Sequence, residues 1–248
     1  MKIAIISDIH GNIQALEAVM KNIKQEKCEK IFCLGDLAMA GPEPSKTIEK
    51  IRELQRTTDF TLIQGNTDEM IANCDNQILH MLKENNPIMA NALQSDIQEV
   101  SEEQKLFLRN LPKHKETEIE GTKILLVHGS PRKNNENIYP DLKIEEVEEM
   151  ISGTNADIIF CGHTHVPCGY QTNTKQTVVN VGSVGRPFSE EPKSCYAVLE
   201  INNKEFSVKH NFVNYDFKTA AEILKERGFD GADKLAQMLI HATSRYPQ

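Results

Sequence analysis

Short apolar runs alternate with amphipathic stretches through the first half of the chain. The runs are too short for helices and rich in isoleucine, so they predict buried β-strands at Lys2–Ile6, Ile31–Leu34 and Phe60–Ile63. Between them, Asn12–Lys27 and Ser45–Gln55 carry apolar side chains at three- and four-residue spacing, the pattern of a helix that buries one face. Strand, helix and strand in this order predict right-handed βαβ units in a mainly parallel sheet.

A helical region separates this half from the next group of strands. Residues 70–112 are interpreted as helices without strands, and Ser101 followed by Gln104 is the signature of a capping box at a helix start. Two more apolar runs, Lys123–Val127 and Asp157–Cys161, predict further buried strands. Between them, the charge-dense stretch 143–149 is expected to be the solvated face of a helix.

The last third of the chain alternates apolar and polar positions more regularly. Thr177–Val181, Cys195–Ile201 and Phe206–Val213 are expected to form an antiparallel meander. Two helices, over Asp216–Phe229 and Asp233–Thr243, are expected to close the chain. No repeat, low-complexity tract or linker interrupts the sequence, so residues 1–248 are interpreted as one domain of the α/β class.

Composition and charge narrow the possible partners. Lys and Arg total 28 and Asp and Glu total 36, so the formal net charge is −8. A surface this acidic disfavours binding to nucleic acid polymers or anionic membranes, although it leaves room for a small basic pocket. No apolar run is long enough for a transmembrane helix. The six cysteines contain no C-x-x-C pair and are interpreted as reduced thiols, which favours a cytoplasmic protein over a disulfide scaffold.

Polar side chains that can bind metal follow five of the predicted strands. Because ligands in open α/β sheets bind at the carboxyl ends of the strands, we expect these side chains to meet at one rim. The candidates are two aspartates, one asparagine and four histidines, namely Asp8, His10, Asp36, Asn66, His128, His163 and His165.

Any one of these residues has a simpler explanation, because Asp and His after a strand often form turns or helix caps. The joint pattern is harder to explain in that way. Five strand ends deliver a donor, and nearby glycines leave space for close backbone approach, at positions 11, 35, 65, 129 and 162. The other histidines, at positions 80, 114, 210 and 241, lack this context and are assigned to the surface or to ordinary packing.

The number and type of donors indicate two divalent transition metal ions. Seven donors exceed the needs of one ordinary zinc site and suit two ions that share a bridging carboxylate. Imidazole and oxygen donors without thiolate favour Mn, Fe, Zn, Co or Ni over Ca or Mg alone. Two such ions about 3.5–4 Å apart can hold a bridging hydroxide and bind a phosphoryl group, so that the hydroxide attacks the phosphorus of an ester in line.

The order and spacing of these residues resemble the calcineurin-like metallophosphoesterase superfamily. The similar motifs are, in chain order, Asp8-x-His10, Gly35-Asp36, Gly65-Asn66-x-Asp68, His128-Gly129 and Gly162-His163-x-His165. Three further segments resemble a small bacterial and archaeal group of predicted phosphodiesterases, namely Gly41-Pro42, His128-Gly129-Ser130-Pro131 and Asn180-Val181-Gly182-Ser183-Val184-Gly185.

The resemblance implies both a fold and a distribution of the metals. The fold would be a four-layer αββα sandwich, in which two sheets pack face to face between helices. The first metal would be held by Asp8, His10 and His165, the second by Asn66, His128 and His163, and Asp36 would bridge them.

One position departs from the family pattern. Many members have a histidine between the Asn and the Asp of the third motif, taken as a general acid or a transition-state stabiliser, and here the residue is Thr67. A threonine hydroxyl can donate a hydrogen bond but cannot act as an acid near neutral pH. Asp68 and Glu69 are the neighbouring acids, and they are interpreted either as proton sources or as caps of the following helix.

Three further residues are candidates for substrate binding. Arg132 follows the His128 motif, and Arg186 follows a glycine-rich loop whose backbone N–H groups could also bind an anion. A guanidinium matches the geometry of a phosphate, but either arginine fits a plain surface role equally well. Asn12 is expected either to orient the substrate or to cap the next helix.

Two classes of function fit this sequence. The first is a metal-dependent phosphoesterase that acts on a small phosphate ester, with the natural substrate and the oligomeric state left open. The alternative is a metal-binding scaffold of the same fold that acts in protein interaction without turnover, because the superfamily includes a retromer subunit with a degraded site. All seven donors are intact here, which favours the enzyme, and the net charge of −8 disfavours a nuclease.

Overall fold

The structure is a computed structural model that describes residues 1–189 and 191–243, where ten strands and nine helices form. The strands are, in chain order, β1 (Lys2–Ile6), β2 (Lys30–Cys33), β3 (Phe60–Leu62), β4 (His114–Ile119), β5 (Thr122–Val127), β6 (Ile158–Cys161), β7 (Cys168–Gln171), β8 (Thr177–Asn180), β9 (Lys193–Asn202) and β10 (Glu205–Asn214). The helices are α1 (Ile13–Gln25), α2 (Pro44–Thr57), α3 (Asn66–Asn73), α4 (Asn76–Asn85), α5 (Pro87–Glu99), α6 (Glu102–Arg109), α7 (Ile144–Met150), α8 (Phe217–Glu226) and α9 (Ala232–His241).

The strands form two five-stranded sheets, each with three parallel strands at its centre or side. The first sheet has the order β10-β9-β1-β2-β3, and the second has the order β4-β5-β6-β8-β7. β1 pairs parallel with β2, and β2 pairs parallel with β3, so the predicted βαβ units are confirmed at α1 and α2. In the second sheet β5, β6 and β8 are parallel, and β4 and β7 lie antiparallel at its edges.

Apolar side chains on the strands face two different cores, because successive residues of a strand point to opposite sides. Ile3 and Ile5 of β1 pack against residues of the second sheet, whereas Ala4 and Ile6 pack under the helices of the first sheet. On the far side of the second sheet, Val147 of α7 packs against strand residues in a third core. The layers are therefore helices, sheet, sheet and helix, which confirms the four-layer αββα sandwich.

The predicted meander is wrong for its first strand. β8 pairs parallel with β6 in the second sheet, whereas β9 and β10 form a hairpin that pairs with β1 in the first sheet. Residues 181–189 and 191–192 lie between β8 and β9, where the chain passes from one sheet to the other. Alternating polarity shows which face of a strand is buried but not which sheet the strand joins, and this explains the error.

Two edge strands of the second sheet, β4 and β7, were not predicted from the sequence. Their sequences are HKETEI and CGYQ, which are too polar to produce an apolar run. Edge strands are commonly protected by charged residues, and β4 is exposed or half-buried along its whole length. These strands complete the second sheet without contributing to the rim where the candidate donors lie.

The helical predictions are confirmed between β3 and β4. Four helices, α3 to α6, occupy this region, and the capping box at α6 joins the Gln104 backbone N–H to Ser101 Oγ at 3.2 Å. Only Val147 of α7 is buried, as expected for a solvated helix face. All six cysteines are free thiols. Among the described residues, no helix has the length and apolarity needed to cross a membrane.

Candidate metal centre

The structure brings the seven predicted donors together at one rim, where the carboxyl ends of both sheets meet. Asp8, Asp36 and Asn66 follow β1, β2 and β3, which are adjacent parallel strands of the first sheet. His128 and the pair His163 and His165 follow β5 and β6, which are adjacent parallel strands of the second sheet. The rim therefore arises because parallel strands end at the same edge and the two sheets pack face to face.

Three of the donors form a first group. The ligand atoms of Asp8, His10 and His165 all lie within 4.8 Å of one another. The two imidazole Nε2 atoms are 3.0 Å apart, and Asp8 Oδ1 lies 3.3 Å from His165 Nε2 and 3.8 Å from His10 Nε2. When several donor atoms each lie about 2.0–2.2 Å from one ion, the donor atoms are separated from one another by about the distances found here. These residues therefore fit a transition metal.

A second group lies beside the first. The ligand atoms of Asp36, His128 and His163 lie within 4.8 Å of one another. His128 Nε2 lies 3.3 Å from Asp36 Oδ2 and 3.0 Å from Asn66 Oδ1, which adds the fourth donor. The same Asp36 oxygen lies 3.7 Å from His10 Nε2 of the first group. Asp36 Oδ2 thus faces both groups, as a bridging carboxylate would.

Backbone carbonyls orient three of the imidazoles. The Nδ1 atoms of His10, His128 and His165 lie 2.9, 2.8 and 2.7 Å from carbonyl oxygens, and these belong to Met39, Leu34 and Arg186 respectively. A carbonyl only accepts, so each Nδ1 carries a hydrogen, and Nε2 is left as the ring nitrogen that a metal can use. The contacts therefore fix the tautomer that a metal requires.

The two carboxylates of the centre are buried and ionised, so they need a nearby positive charge. Asp8 Oδ1 is buried and receives no hydrogen bond from the described residues. Burial alone would raise the pKa of Asp8, but the electrostatic attraction of His165 and His128 outweighs burial and lowers the pKa well below its usual value. In the same way the pKa of Asp36 falls to about 2 despite its burial, mainly through His128. An unpartnered buried anionic oxygen between imidazoles is a donor that fits a bound cation.

The histidines respond to the same charges. Burial disfavours the cationic form of His128, but Asp36 and Asp8 raise its pKa to about 10. Burial dominates at His165 and His163, whose pKa values are lowered. Without a metal, a proton on His128 compensates the two carboxylates, and a metal ion would replace it.

Five of the seven donors have left-handed backbone conformations. The φ angles are 56°, 48°, 54°, 68° and 62° for Asp8, His10, Asp36, His163 and His165 respectively. Such a conformation costs a non-glycine residue on the order of 1–3 kcal/mol, and it persists only where the surrounding structure enforces it. Here the backbone N–H groups of Ile9 and His10 both donate to the Asp36 carbonyl, at 2.8 and 2.9 Å. No pattern in the sequence predicted this strain.

Asp68 is not one of the predicted donors, but it holds the loops that carry two of them. Its carboxylate accepts hydrogen bonds from the backbone N–H groups of Asp36, Leu37 and Gly65, at 2.8 to 2.9 Å. Burial and the neighbouring Asp36 raise the pKa of Asp68 to about 7. Gly65 is required at this point, because a Cβ atom there would lie 2.0 Å from Asp36 Oδ1. Asp68 therefore clamps the loops after β2 and β3, and its carboxylate is occupied by the backbone.

The side chains of Thr67 and Glu69, on either side of Asp68, are also engaged. Thr67 Oγ1 donates a hydrogen bond to the Ala38 carbonyl at 2.9 Å, and the Thr67 backbone N–H donates to Asp36 Oδ1 at 2.8 Å. Glu69 forms an ion pair with Lys113 at 2.8 Å. In these contacts neither side chain directs a hydrogen toward the metal-binding atoms of the rim.

The two candidate arginines have different surroundings. Arg132 is exposed, and its guanidinium forms ion pairs with Glu136 at 2.8 Å and Glu149 at 3.1 Å. Arg186 is buried, and its backbone carbonyl accepts the hydrogen bond from His165 of the first group. Phe188 lies 5.9 Å from the Arg186 guanidinium and stacks on the His165 ring at 4.7 Å. Only Arg186 is thus linked directly to a predicted donor by these contacts.

Asn12 is also buried beside the rim. Its Oδ1 accepts from the Ala15 backbone N–H at 3.1 Å, which caps α1, and its Nδ2 donates to the Gly185 carbonyl at 2.8 Å. The amide therefore has the helix-capping role considered from the sequence. A direct contact between Asn12 and a substrate stays a prediction.

Comparison with known proteins places this geometry in a family. Residues 1–204 match the calcineurin-like phosphoesterase superfamily domain. The uncharacterized protein MJ0912 of Methanocaldococcus jannaschii is 32% identical over 242 residues, which cover 91% of this chain and 93% of that protein. The phosphodiesterase YfcE of Escherichia coli is 26% identical over 81% of this chain and 88% of its own length.

Solved structures show the same fold. The hypothetical protein PH1004 of Pyrococcus horikoshii is 25% identical, with a TM-score of 0.88 over 98% of this chain and 99% of that one. A metallophosphoesterase of Sphaerobacter thermophilus is 25% identical, with a TM-score of 0.78 over 98% and 100% of the two chains. Zinc-bound Vps29 of Entamoeba histolytica shares the fold at a TM-score of 0.51 and 17% identity, over 86% and 98% of the two chains. This chain belongs to the calcineurin-like phosphoesterase superfamily.

Proposed function

We propose that this protein is a dinuclear metal phosphoesterase that hydrolyses small phosphate esters. The observation that carries the proposal is the position of Asp36 Oδ2, which lies 3.3 Å from His128 Nε2 of one donor group and 3.7 Å from His10 Nε2 of the other. One carboxylate between two groups of donors suits two ions and exceeds what one ion needs. The name of the relative YfcE, a phosphodiesterase, supports the reaction class.

We assign one ion to each group of donors. Asp8, His10 and His165 would hold one ion, and Asn66, His128 and His163 would hold the other, with Asp36 shared. Imidazole and oxygen donors suit Mn, Fe, Zn, Co or Ni. Two divalent ions, when bound here, supply an activated water nucleophile and neutralise charge on the phosphoryl oxygens.

The chain itself contributes orientation and anion binding. Carbonyl contacts with Nδ1 hold the Nε2 atoms of His10, His128 and His165 toward the rim, where they would bind the ions. The Arg186 guanidinium contacts the sulfur atoms of Met89 and Met238 and lies 5.9 Å from the Phe188 ring, which stacks on His165. From this position it would supply positive charge to bind the phosphate of the substrate. The free thiols support the prediction of a cytoplasmic protein.

Metal content and turnover test the proposal together. Protein purified without chelator is expected to contain about two equivalents of transition metal, and about one if the weaker site empties. Reconstituted with Mn²⁺, it is expected to hydrolyse bis(p-nitrophenyl) phosphate, and chelation is expected to abolish the activity. Metal binding without hydrolysis of any ester in a panel of monoesters and diesters would favour the alternative, a scaffold that acts in protein interaction.

Arg186→Ala is expected to raise KM for a phosphate ester by about 10- to 100-fold, the equivalent of one lost charge-assisted hydrogen bond. If the contact tightens in the transition state, kcat falls as well. Arg132→Ala is the matched control and is expected to change KM little, because Glu136 and Glu149 already engage that guanidinium. Steady-state kinetics with one diester would measure both variants. Wild-type KM in Arg186→Ala would remove Arg186 from the site.

A further inference from the structure

A buried ion pair lies outside the metal centre, between two helices that cover the first sheet. Asp96 on α5 and Arg227 at the end of α8 approach to 2.6 Å, and their side chains are 0% and 7% exposed. The Arg227 guanidinium also donates to Ser95 Oγ at 2.9 Å and lies 3.2 Å from Glu99 Oε2. Burying two charges is costly, so a pair of this kind is weak evidence for stability by itself. Its other contacts indicate a different role.

Those contacts go to residues 38–41, the loop that follows Asp36. Asp96 Oδ2 accepts a hydrogen bond from the Ala40 backbone N–H at 3.1 Å, and Arg227 Nη1 donates to the Gly41 carbonyl at 2.7 Å. Met39 and Ala40 have φ angles of 86° and 61°, in the left-handed region that non-glycine residues avoid. The loop therefore needs contacts from outside to keep this conformation. The ion pair supplies two of them, one to the Ala40 N–H and one to the Gly41 carbonyl.

The same loop touches His10 on two sides. The Met39 carbonyl lies 2.9 Å from His10 Nδ1 and fixes the tautomer of the ring. Gly41 packs directly on the His10 backbone, because a Cβ atom on Gly41 would lie 1.5 Å from the His10 carbonyl oxygen. A shift of the loop would therefore release the imidazole and move the backbone that carries it.

We propose that Asp96 and Arg227 are positioning residues for His10, which act by holding loop 38–41 so that the Met39 carbonyl orients the imidazole. The proposal rests on the proposed function in taking His10 as a metal donor. The helices that cover the first sheet thus set the geometry of the first donor group, although neither Asp96 nor Arg227 is itself a donor.

The variants separate this role from general stabilisation. Arg227→Met removes the donor to Gly41, and Arg227→Lys keeps the charge but loses the forked geometry that serves several acceptors. Because Arg227→Met leaves Asp96 buried without its cation, the double variant Asp96→Leu/Arg227→Met removes both charges and protects against loss of folding.

Arg52→Met is the matched control. Arg52 also joins two helices through ion pairs, with Glu49 at 3.0 Å and Glu103 at 2.5 Å. Its guanidinium lies 5.6 Å from the Phe107 ring, much as Arg227 lies 5.4 Å from Phe229. The ion pairs of Arg52 lie on α2 and α6 and not on loop 38–41, so this control reports the loss of an interhelical arginine alone.

The first measurement is made on metal-free protein by ¹⁵N NMR of the histidine rings, with the His10 signals assigned by their loss in His10→Asn. Wild type and Arg52→Met are expected to show His10 with a hydrogen on Nδ1. Arg227→Met and the double variant are expected to show a mixture of tautomers, and Arg227→Lys an intermediate state. A wild-type His10 spectrum in both Arg227→Met and the double variant would overturn the proposal.

The second measurement is titration with Mn²⁺ or Zn²⁺. In Arg227→Met and the double variant, one of the two equivalents is expected to bind about 10- to 100-fold more weakly, the usual loss when a contact that orients a ligand is removed. The other equivalent, at Asn66 and His128, is expected to be unchanged. Variants that lose only thermal stability and bind both equivalents normally would contradict the positioning role. If the wild type bound metal but hydrolysed no ester, the proposed function would be wrong. The NMR result on the orientation of His10 would be unaffected.

Discussion

Asp36→Asn is expected to reduce kcat/KM for phosphate ester hydrolysis by about 10³-fold or more, since polarisation by a metal ion is worth several kcal/mol and each 1.4 kcal/mol is tenfold in rate. The amide oxygen can still accept the Thr67 backbone N–H that now bonds to Asp36 Oδ1. The amide NH₂ then replaces Oδ2, the atom that faces His10 and His128, and cannot bind a cation. Both metal equivalents should weaken together, because one carboxylate serves both groups.

Asp157→Asn is the control for this substitution. Asp157 precedes β6, at the opposite end from His163, and its Oδ2 accepts from the Lys123 backbone N–H at 2.7 Å. It should retain activity and both metal equivalents, as measured by elemental analysis and by hydrolysis of bis(p-nitrophenyl) phosphate. If Asp36→Asn lost only one equivalent and kept the other at wild-type affinity, Asp36 would belong to a single metal and the bridging assignment would be wrong.

The rate of hydrolysis is expected to depend steeply on the acidity of the leaving group. General acid catalysis contributes typically about 10²–10⁴-fold, and the side chains of Thr67, Asp68 and Glu69, which follow β3, are all engaged elsewhere. The Thr67 hydroxyl donates to the Ala38 carbonyl, the Asp68 carboxylate accepts three backbone N–H groups, and Glu69 pairs with Lys113. Aryl esters should therefore react much faster than simple alkyl esters.

A series of aryl phosphodiesters with graded leaving-group pKa, run on three proteins, tests this prediction. Thr67→Val removes the hydroxyl and should leave the slope of log kcat/KM against leaving-group pKa unchanged. Thr67→His should flatten the slope and restore part of the missing factor for the poorest leaving groups, provided the α3 N-terminus accommodates the ring. A flat slope for the wild type, with chemistry shown to be rate-limiting, would mean that another residue or a bound water supplies the proton.

The sequence determined most of the fold and the identity of the candidate donors. The apolar runs that predicted β1, β2, β3, β5 and β6 correspond to strands that end at the rim, because short buried strands have a local signature. Donors directly after those strands were predictable for the same reason, since the end of a strand fixes the position of the next residue. The polar edge strands β4 and β7 have no such signature and were missed.

Only the tertiary structure decided which sheet each strand joins and how the donors face one another. β8 lies beside β6 and not beside β9, because pairing depends on contacts between distant segments that share no local pattern. The left-handed conformations of Asp8, His10 and Asp36 follow from the crossing of the loops after β1 and β2, where backbone groups of one loop bond to the other. The tautomer of His10 depends on Met39, and the loop of Met39 is held by Asp96 and Arg227 from two other helices. Local periodicity selects the residues of the centre, whereas its geometry is set by contacts that exist only once the chain has folded.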